Sequence, residues 1–120
     1  MARFRLSAPA QTDLRTILSA SADRWGVAAG RRYAALLAAA MRKVAADPEA
    51  PTTRDRAELQ PGIRSFHIRL ASVDKPLAKV RKPVHILYYR IAEPGLIEIV
   101  RVLHGRSEPS RHLDEKPILP

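Results

Sequence analysis

No cysteine occurs anywhere in the 120 residues, which excludes a disulfide framework and any thiolate-ligated metal site. No stretch approaches the ~20 consecutive apolar residues that cross a membrane. Met1-Ala2-Arg3-Phe4-Arg5 lacks the apolar core of a secretory signal. A cytoplasmic protein with no membrane partner is the expectation. Aromatics are scarce: one tryptophan, three tyrosines and two phenylalanines. Acidic residues are also few, 12 against 21 lysines and arginines, giving a formal net charge of +9. A basic excess favours an acidic partner, either nucleic acid or protein, and its distribution discriminates between the two. Residues 1–46 hold eight basic and two acidic side chains, and residues 54–90 hold nine and three. Residues 47–53 are acidic, and residues 91–120 are nearly neutral, with four against five. Charge spread over the body is unlike the concentrated arm of a DNA binder, so direct nucleic-acid binding is disfavoured. What is abundant is apolar surface, at 46% of the chain. That suffices for one modest core and is too much for a disordered tail. One domain is expected, with no metal and no cofactor.

The patterning divides into helical and extended parts. Arg3-Phe4-Arg5-Leu6 alternates polar and apolar side chains, as a short half-buried strand does. Ser7 suits an N-cap and Pro9 suits the first helical turn. Leu14, Ile17, Leu18, Ala22 and Trp25 then mark one face of a helix that Gly26 ends. Tyr33, Leu36, Leu37, Ala40, Met41 and Val44 mark a second, stopped by Asp47-Pro48. Joined by a few residues around Gly26, the two form an antiparallel αα-hairpin. Residues 47–62 are rich in proline, glycine and charge and form a surface connection. Ile63 to Leu70 alternates, with Arg64, Phe66, Ile68 and Leu70 on one side. Residues 71–83 make a basic connection. Val84 to Ile91 is rich in β-branched and aromatic residues, Glu93-Pro94-Gly95 signals a turn, and Leu96 to Leu103 is apolar on both sides, as a central strand is. The order β-α-α-β-β-β predicts an α+β fold: an N-terminal strand and a helical hairpin packed on an antiparallel sheet. The core is expected over about residues 3–105, with 106–120 an extended tail.

The stretch Ile97-Glu98-Ile99-Val100-Arg101-Val102-Leu103-His104-Gly105-Arg106 resembles the C-terminal strand of ParE-type toxins in the RelE/ParE superfamily. Leu6-Ser7-Ala8-Pro9-Ala10 with Asp13-Leu14 is similar to the first strand-to-helix junction of that family. Pro61-Gly62-Ile63-Arg64-Ser65-Phe66 looks like the start of its second strand, and Val84 to Ile91 like its third. Together they cover most of residues 3–113 in the family's order. The resemblance implies a RelE/ParE-like fold and a toxin of a bacterial type II toxin–antitoxin pair. Its partner would be an acidic, ParD-like antitoxin, in a higher-order complex. ParE-branch members poison DNA gyrase, whereas RelE-branch members cut mRNA on the ribosome.

Site residues follow from position and chemistry. A ribonuclease of the RelE kind needs a general base, a general acid and cations around the scissile phosphate. RelE-like toxins commonly place a catalytic Tyr or His near the C-terminus, but here the last tyrosine, Tyr89, lies inside a strand. Binding is therefore favoured over catalysis, and no catalytic residue is assigned. If the chain is an mRNA endoribonuclease instead, His104 and Arg106 carry the reaction. Arg101, a cation within an apolar strand, needs either a partner or a groove. Together with Arg90, His104 and Arg106 it forms the expected target contact. His112 is read as incidental. Trp25 either closes the hairpin core or anchors a partner. With Leu14, Leu18, Leu37, Met41 and Arg64 it forms the expected antitoxin contact, a groove accepting an amphipathic helix. A non-toxic basic binding module is the third alternative.

Overall fold

Ser7 turns the chain from strand to helix. Its Oγ accepts a hydrogen bond from the Ala10 N–H at 3.1 Å and donates to the Val100 carbonyl at 2.7 Å. One hydroxyl thus caps a helix start and ties it to a strand 93 residues away. The computed structural model describes residues 2–71 and 82–113. Strand β1 (Arg3–Leu6) leads through Ser7 into α1 (Ala8–Trp25) and α2 (Val27–Ala46). Strands β2 (Arg54–Asp55) and β3 (Arg64–His67) follow, then a 3₁₀ turn (Ile68–Leu70). Two nine-residue strands, β4 (His85–Glu93) and β5 (Leu96–His104), precede a short helix, α3 (Pro109–Leu113).

The helical hairpin is tighter than its apolar spacing suggests. A single residue, Gly26, separates the helices, at φ +95°, where a side chain would be strained. Its N–H donates to the Ala22 carbonyl at 2.9 Å, and the Gly30 N–H donates to the Gly26 carbonyl at 3.0 Å. At Gly30 an added Cβ would meet that of Ala22 at 3.4 Å, an ordinary contact. The second helix therefore begins at Val27, well before Tyr33.

The sheet order is β1-β5-β4-β3-β2. As expected, β3, β4 and β5 pair in an antiparallel meander, and β5 lies inside the sheet with a neighbour on each side. However, β1 lies parallel to β5, Arg3 beside Leu96 through Leu6 beside Ile99, so the sheet is mixed rather than wholly antiparallel. The connection 47–62 contributes the two-residue strand β2, which pairs with β3. The alternation expected through Leu70 stops at His67, whose Nδ1 accepts from the Arg69 N–H at 3.1 Å and caps the 3₁₀ turn. Most of the basic connection, residues 72–81, lies outside the described residues.

Two apolar layers cover the sheet. The larger joins Leu36, Leu37, Ala40, Met41 and Val44 of α2 to Phe66, Leu87, Tyr89, Ile97, Ile99 and Val102. The second holds Ile63, Tyr88, Leu103 and Leu113, with Leu59, Ile86 and Val100 beside them. Burial on both faces explains why β5 carries apolar residues on both of its sides. Leu113 is 4% exposed, and Gln60 Nε2 donates to its carbonyl. Part of the expected extended tail is thus a helix pinned to the sheet.

A register shift refines the alternation of β5. Tyr88 faces Arg101 and Tyr89 faces Ile99, leaving Val100 as the extra residue of a bulge. Regular alternation puts Arg101 and Leu103 with Ile97 and Ile99. After the bulge it is Val102 that joins Ile97 and Ile99 in the larger layer, while Leu103 joins the second.

Candidate functional site

Where β1 ends, β5 is left with an open edge, and Asp13 of α1 fills it. Asp13 Oδ2 accepts from the Val102 N–H at 2.9 Å. The same carboxylate takes both arms of Arg101, Nε to Oδ2 and Nη2 to Oδ1, each at 2.8 Å. Arg101 Nη1 reaches the His112 carbonyl of α3 at 3.5 Å. The ion-pair side chains are only 19% and 13% exposed. Such a two-pronged pair fixes geometry as well as charge. Arg101 is therefore a clamp joining α1, β5 and α3, and its place on an open target face is corrected.

A second cluster lies where β4 begins and β5 ends. His85 and His104 are register partners, with ring centroids 5.6 Å apart and planes at 76°. Tyr33 of α2 places its hydroxyl 2.6 Å from His85 Nδ1 and accepts from the Val84 N–H at 3.2 Å. The tautomer of the imidazole sets which of the phenol and Nδ1 donates in this bond. Burial first, and then the neighbouring His104 and His67, bring His85 down to about 4 against a smaller opposing pull from Asp13. Burial also pushes the Tyr33 phenol up, partly offset by its backbone contacts. At neutral pH this pair is a neutral structural latch between helix and sheet. His104 is exposed, its Nδ1 accepting from the Arg106 N–H at 2.9 Å, and Arg106 is exposed beside it.

The tyrosines after Tyr33 are committed as well. Tyr89 is fully buried and its hydroxyl donates to the Pro48 carbonyl at 2.6 Å. Tyr88 is buried beneath Arg56, whose guanidinium stands 5.8 Å from the ring centre. Arg64 donates from Nη2 to Thr53 Oγ1 at 2.8 Å, while its Nε is buried without a hydrogen-bond partner among the described residues. Arg64 and Arg90 line an open hollow of about 440 Å³ with Asp55, Pro61, Gly62 and the exposed Ile91. Arg90 is paired with Glu98 at 2.8 Å.

Residues 4–109 match the family model described as ParE toxin of type II toxin-antitoxin system, parDE. The chain belongs to the ParE toxin family. It is 34% identical over 111 residues to Toxin ParE1 of Mycobacterium tuberculosis strain CDC 1551 / Oshkosh, covering 92% of this chain and 97% of that protein. Toxin ParE1 of strain ATCC 25618 / H37Rv matches with the same identity and coverage.

Within this ParE-family fold the expected contact residues separate. His104 and Arg106 come together at the exposed sheet end, while Arg90 lies apart at the hollow. Leu37 and Met41 are 2% and 3% exposed and belong to the core, so they do not line a surface groove. Leu14 and Leu18 are partly buried against that core. Trp25 does not close the hairpin core; it stands in solvent. Sequence reasoning passed over Asp13, Tyr33 and His85. Asp13 sits beside a core leucine and Tyr33 within a helical apolar stripe, so neither position reveals that its polar atom faces the sheet.

Proposed function

We propose that this ParE-family toxin acts in the bacterial cytoplasm by binding DNA gyrase, and that an acidic ParD-like antitoxin neutralises it within a higher-order complex. The observation that carries the choice of binding over RNA cleavage is the commitment of the phenols and of Arg101 to internal bonds. Tyr33, Tyr89 and Arg101 each hold a fixed protein partner. The exposed sheet end then offers His104 and Arg106, a polar contact surface suited to recognition. A basic toxin meeting acidic partners associates quickly and in a salt-dependent manner. The site residues on this view are His104 and Arg106 toward the target, and Trp25, Leu14, Leu18 and Arg64 toward the antitoxin.

The test is a supercoiling assay with purified gyrase and increasing toxin. Supercoiling should fall with toxin dose and return when the antitoxin from the neighbouring reading frame is added. Unimpaired supercoiling at a large toxin excess would reject the gyrase target. If toxin-arrested cells instead show cleaved transcripts, and His104→Ala abolishes the cleavage, the ribonuclease alternative replaces it.

A further inference from the structure

Trp25 and Val27 are the most exposed large apolar side chains among the described residues, at 67% and 63%. They flank Gly26 at the tip of the helical hairpin. A tryptophan covers some 150–250 Å² when packed, and this one, the only tryptophan in the chain, is left mostly in water. The tip is stiff. One residue joins the helices, and both of its flanking hydrogen bonds are made. Trp25 and Val27 are therefore presented by two continuous helices, with no loop to fold them inward.

Their surroundings are cationic. The Arg24 guanidinium lies 5.2 Å from the centre of the Trp25 ring. Arg31 follows Val27 by one helical turn on the same face of α2. Arg24, Arg31 and Arg32 outnumber the one nearby acid, Asp23, and none of these four is in an ion pair among the described residues. A rigid aromatic anchor edged by unneutralised arginines has the composition of an interface hot spot. Its charge selects an acidic occupant and opposes a second copy of the same tip. Two apolar side chains make too small a face for a membrane-surface helix.

We propose that the Trp25–Val27 tip is the principal anchor for the antitoxin, received by an apolar cleft bordered by carboxylates on that partner's acidic segment. The proposal rests on membership of a toxin–antitoxin family for the partner's existence. What it adds is the toxin surface that carries the affinity. The anchor lies at the hairpin tip, at the end of the stripe that Leu14 and Leu18 begin and ahead of them in the affinity it carries, and apart from the His104 and Arg106 end.

Because Trp25 is the sole tryptophan, its emission reports on the tip directly. The experiment titrates the full-length toxin with the antitoxin encoded beside it, at low and high salt, and measures affinity by calorimetry for wild type, Trp25→Ala, Trp25→Phe and Val27→Ser. Antitoxin should shift the emission to the blue. Trp25→Ala should weaken binding by about tenfold or more, with Trp25→Phe retaining most of the affinity. Far-UV circular dichroism of the variants should match wild type, since the exposed rings contribute little to the core. Equal affinity of Trp25→Ala and wild type overturns the anchor while leaving the antitoxin pairing intact. Unchanged emission in a saturated complex overturns it too. A blue shift with phosphatidylglycerol-containing vesicles, with duplex DNA or on self-association, when antitoxin gives none, assigns the tip to another occupant and overturns it. Failure of wild-type toxin to bind the antitoxin at all removes the pairing itself, and this proposal with it.

Discussion

The Asp13–Arg101 clamp can be tested by removing each half in turn. Asp13→Ala deletes an acceptor for three donors: Arg101 Nε, Arg101 Nη2 and the Val102 N–H. With these side chains less than one-fifth exposed, the stranded guanidinium regains little water. Leaving one member of such a pair alone costs about 3–5 kcal/mol when fully buried, and the unmatched strand N–H contributes about 1–3 kcal/mol of that kind of penalty. Allowing for partial exposure, Asp13→Ala should lose about 3 kcal/mol, a fall of roughly 10 °C in Tm for a domain of this size. Arg101→Met should lose about 2 kcal/mol, because the remaining carboxylate keeps the Val102 N–H. The double variant Asp13→Ala with Arg101→Met should be more stable than the two single losses added together predict, by about 1–2 kcal/mol. Urea denaturation followed by far-UV circular dichroism measures all three. Fluorescence is a poor probe here, since Trp25 is already exposed in the folded state. Single variants within about 0.5 kcal/mol of wild type would refute the clamp. A fully stable Arg101→Met that no longer inhibits its target would restore Arg101 to the contact surface.

Other consequences are separable. His85 is held at about 4 against an ordinary value of 6.5, so as pH falls through that interval the unfolded chain takes up the proton first. Stability is therefore full above the ordinary value and declines toward the lower one. Discounted for the half-exposed ring, the loss should be about 1–2 kcal/mol. Urea midpoints measured across that pH range should show the decline in wild type and a flatter profile in His85→Phe, and equal slopes would remove His85 as its source. Leu113→Ala should cost about 2–3 kcal/mol by opening the second apolar layer, whereas an unchanged Tm would detach α3 from the fold. Gly26→Val should destabilise by at least about 1 kcal/mol because of the positive φ. Gly30→Ala, which brings its Cβ only to ordinary contact with Ala22, should be neutral or stabilising by up to about 1 kcal/mol, and the opposite order in thermal melts would contradict the hairpin geometry.

The parts of this fold that were legible in the sequence are those governed by local rules. Ser7 and Pro9 announce a helix start, and the Leu36, Ala40 and Val44 spacing announces a buried face. The two-sided apolar run from Leu96 announces a strand covered on both faces. What escaped depends on chain segments meeting at long range. Nothing local to Arg3–Leu6 says that it will run parallel to β5, because that pairing is decided by the return of the chain through three other strands. Asp13 and Arg101 are 88 residues apart, and neither has a neighbour that announces the other. The short helix carrying Leu113 was hidden by its proline and charge, and its stability comes from burial of one leucine rather than from helix propensity.

The bulge at Val100 links these omissions to function. Strict alternation assigns Arg101 to one face together with Ile97, Ile99 and Leu103, and a cation there invites a reading as a ligand contact. One extra residue changes the phase, so that Val102 takes the place in the larger core. Because β1 ends at Leu6, it does not supply an acceptor for the Val102 N–H, and α1 supplies Asp13 instead. The carboxylate brought in to complete the strand edge then also takes the guanidinium of Arg101. Strand length, bulge and ion pair are thus one arrangement. Lengthening β1 or removing the bulge would free Arg101 only by displacing Asp13. For a toxin that must reach partners through its surface, the consequence is that Arg101 is spent internally, and the recognition proposed above falls to exposed side chains outside this clamp: Trp25 at one position, and His104 with Arg106 at another.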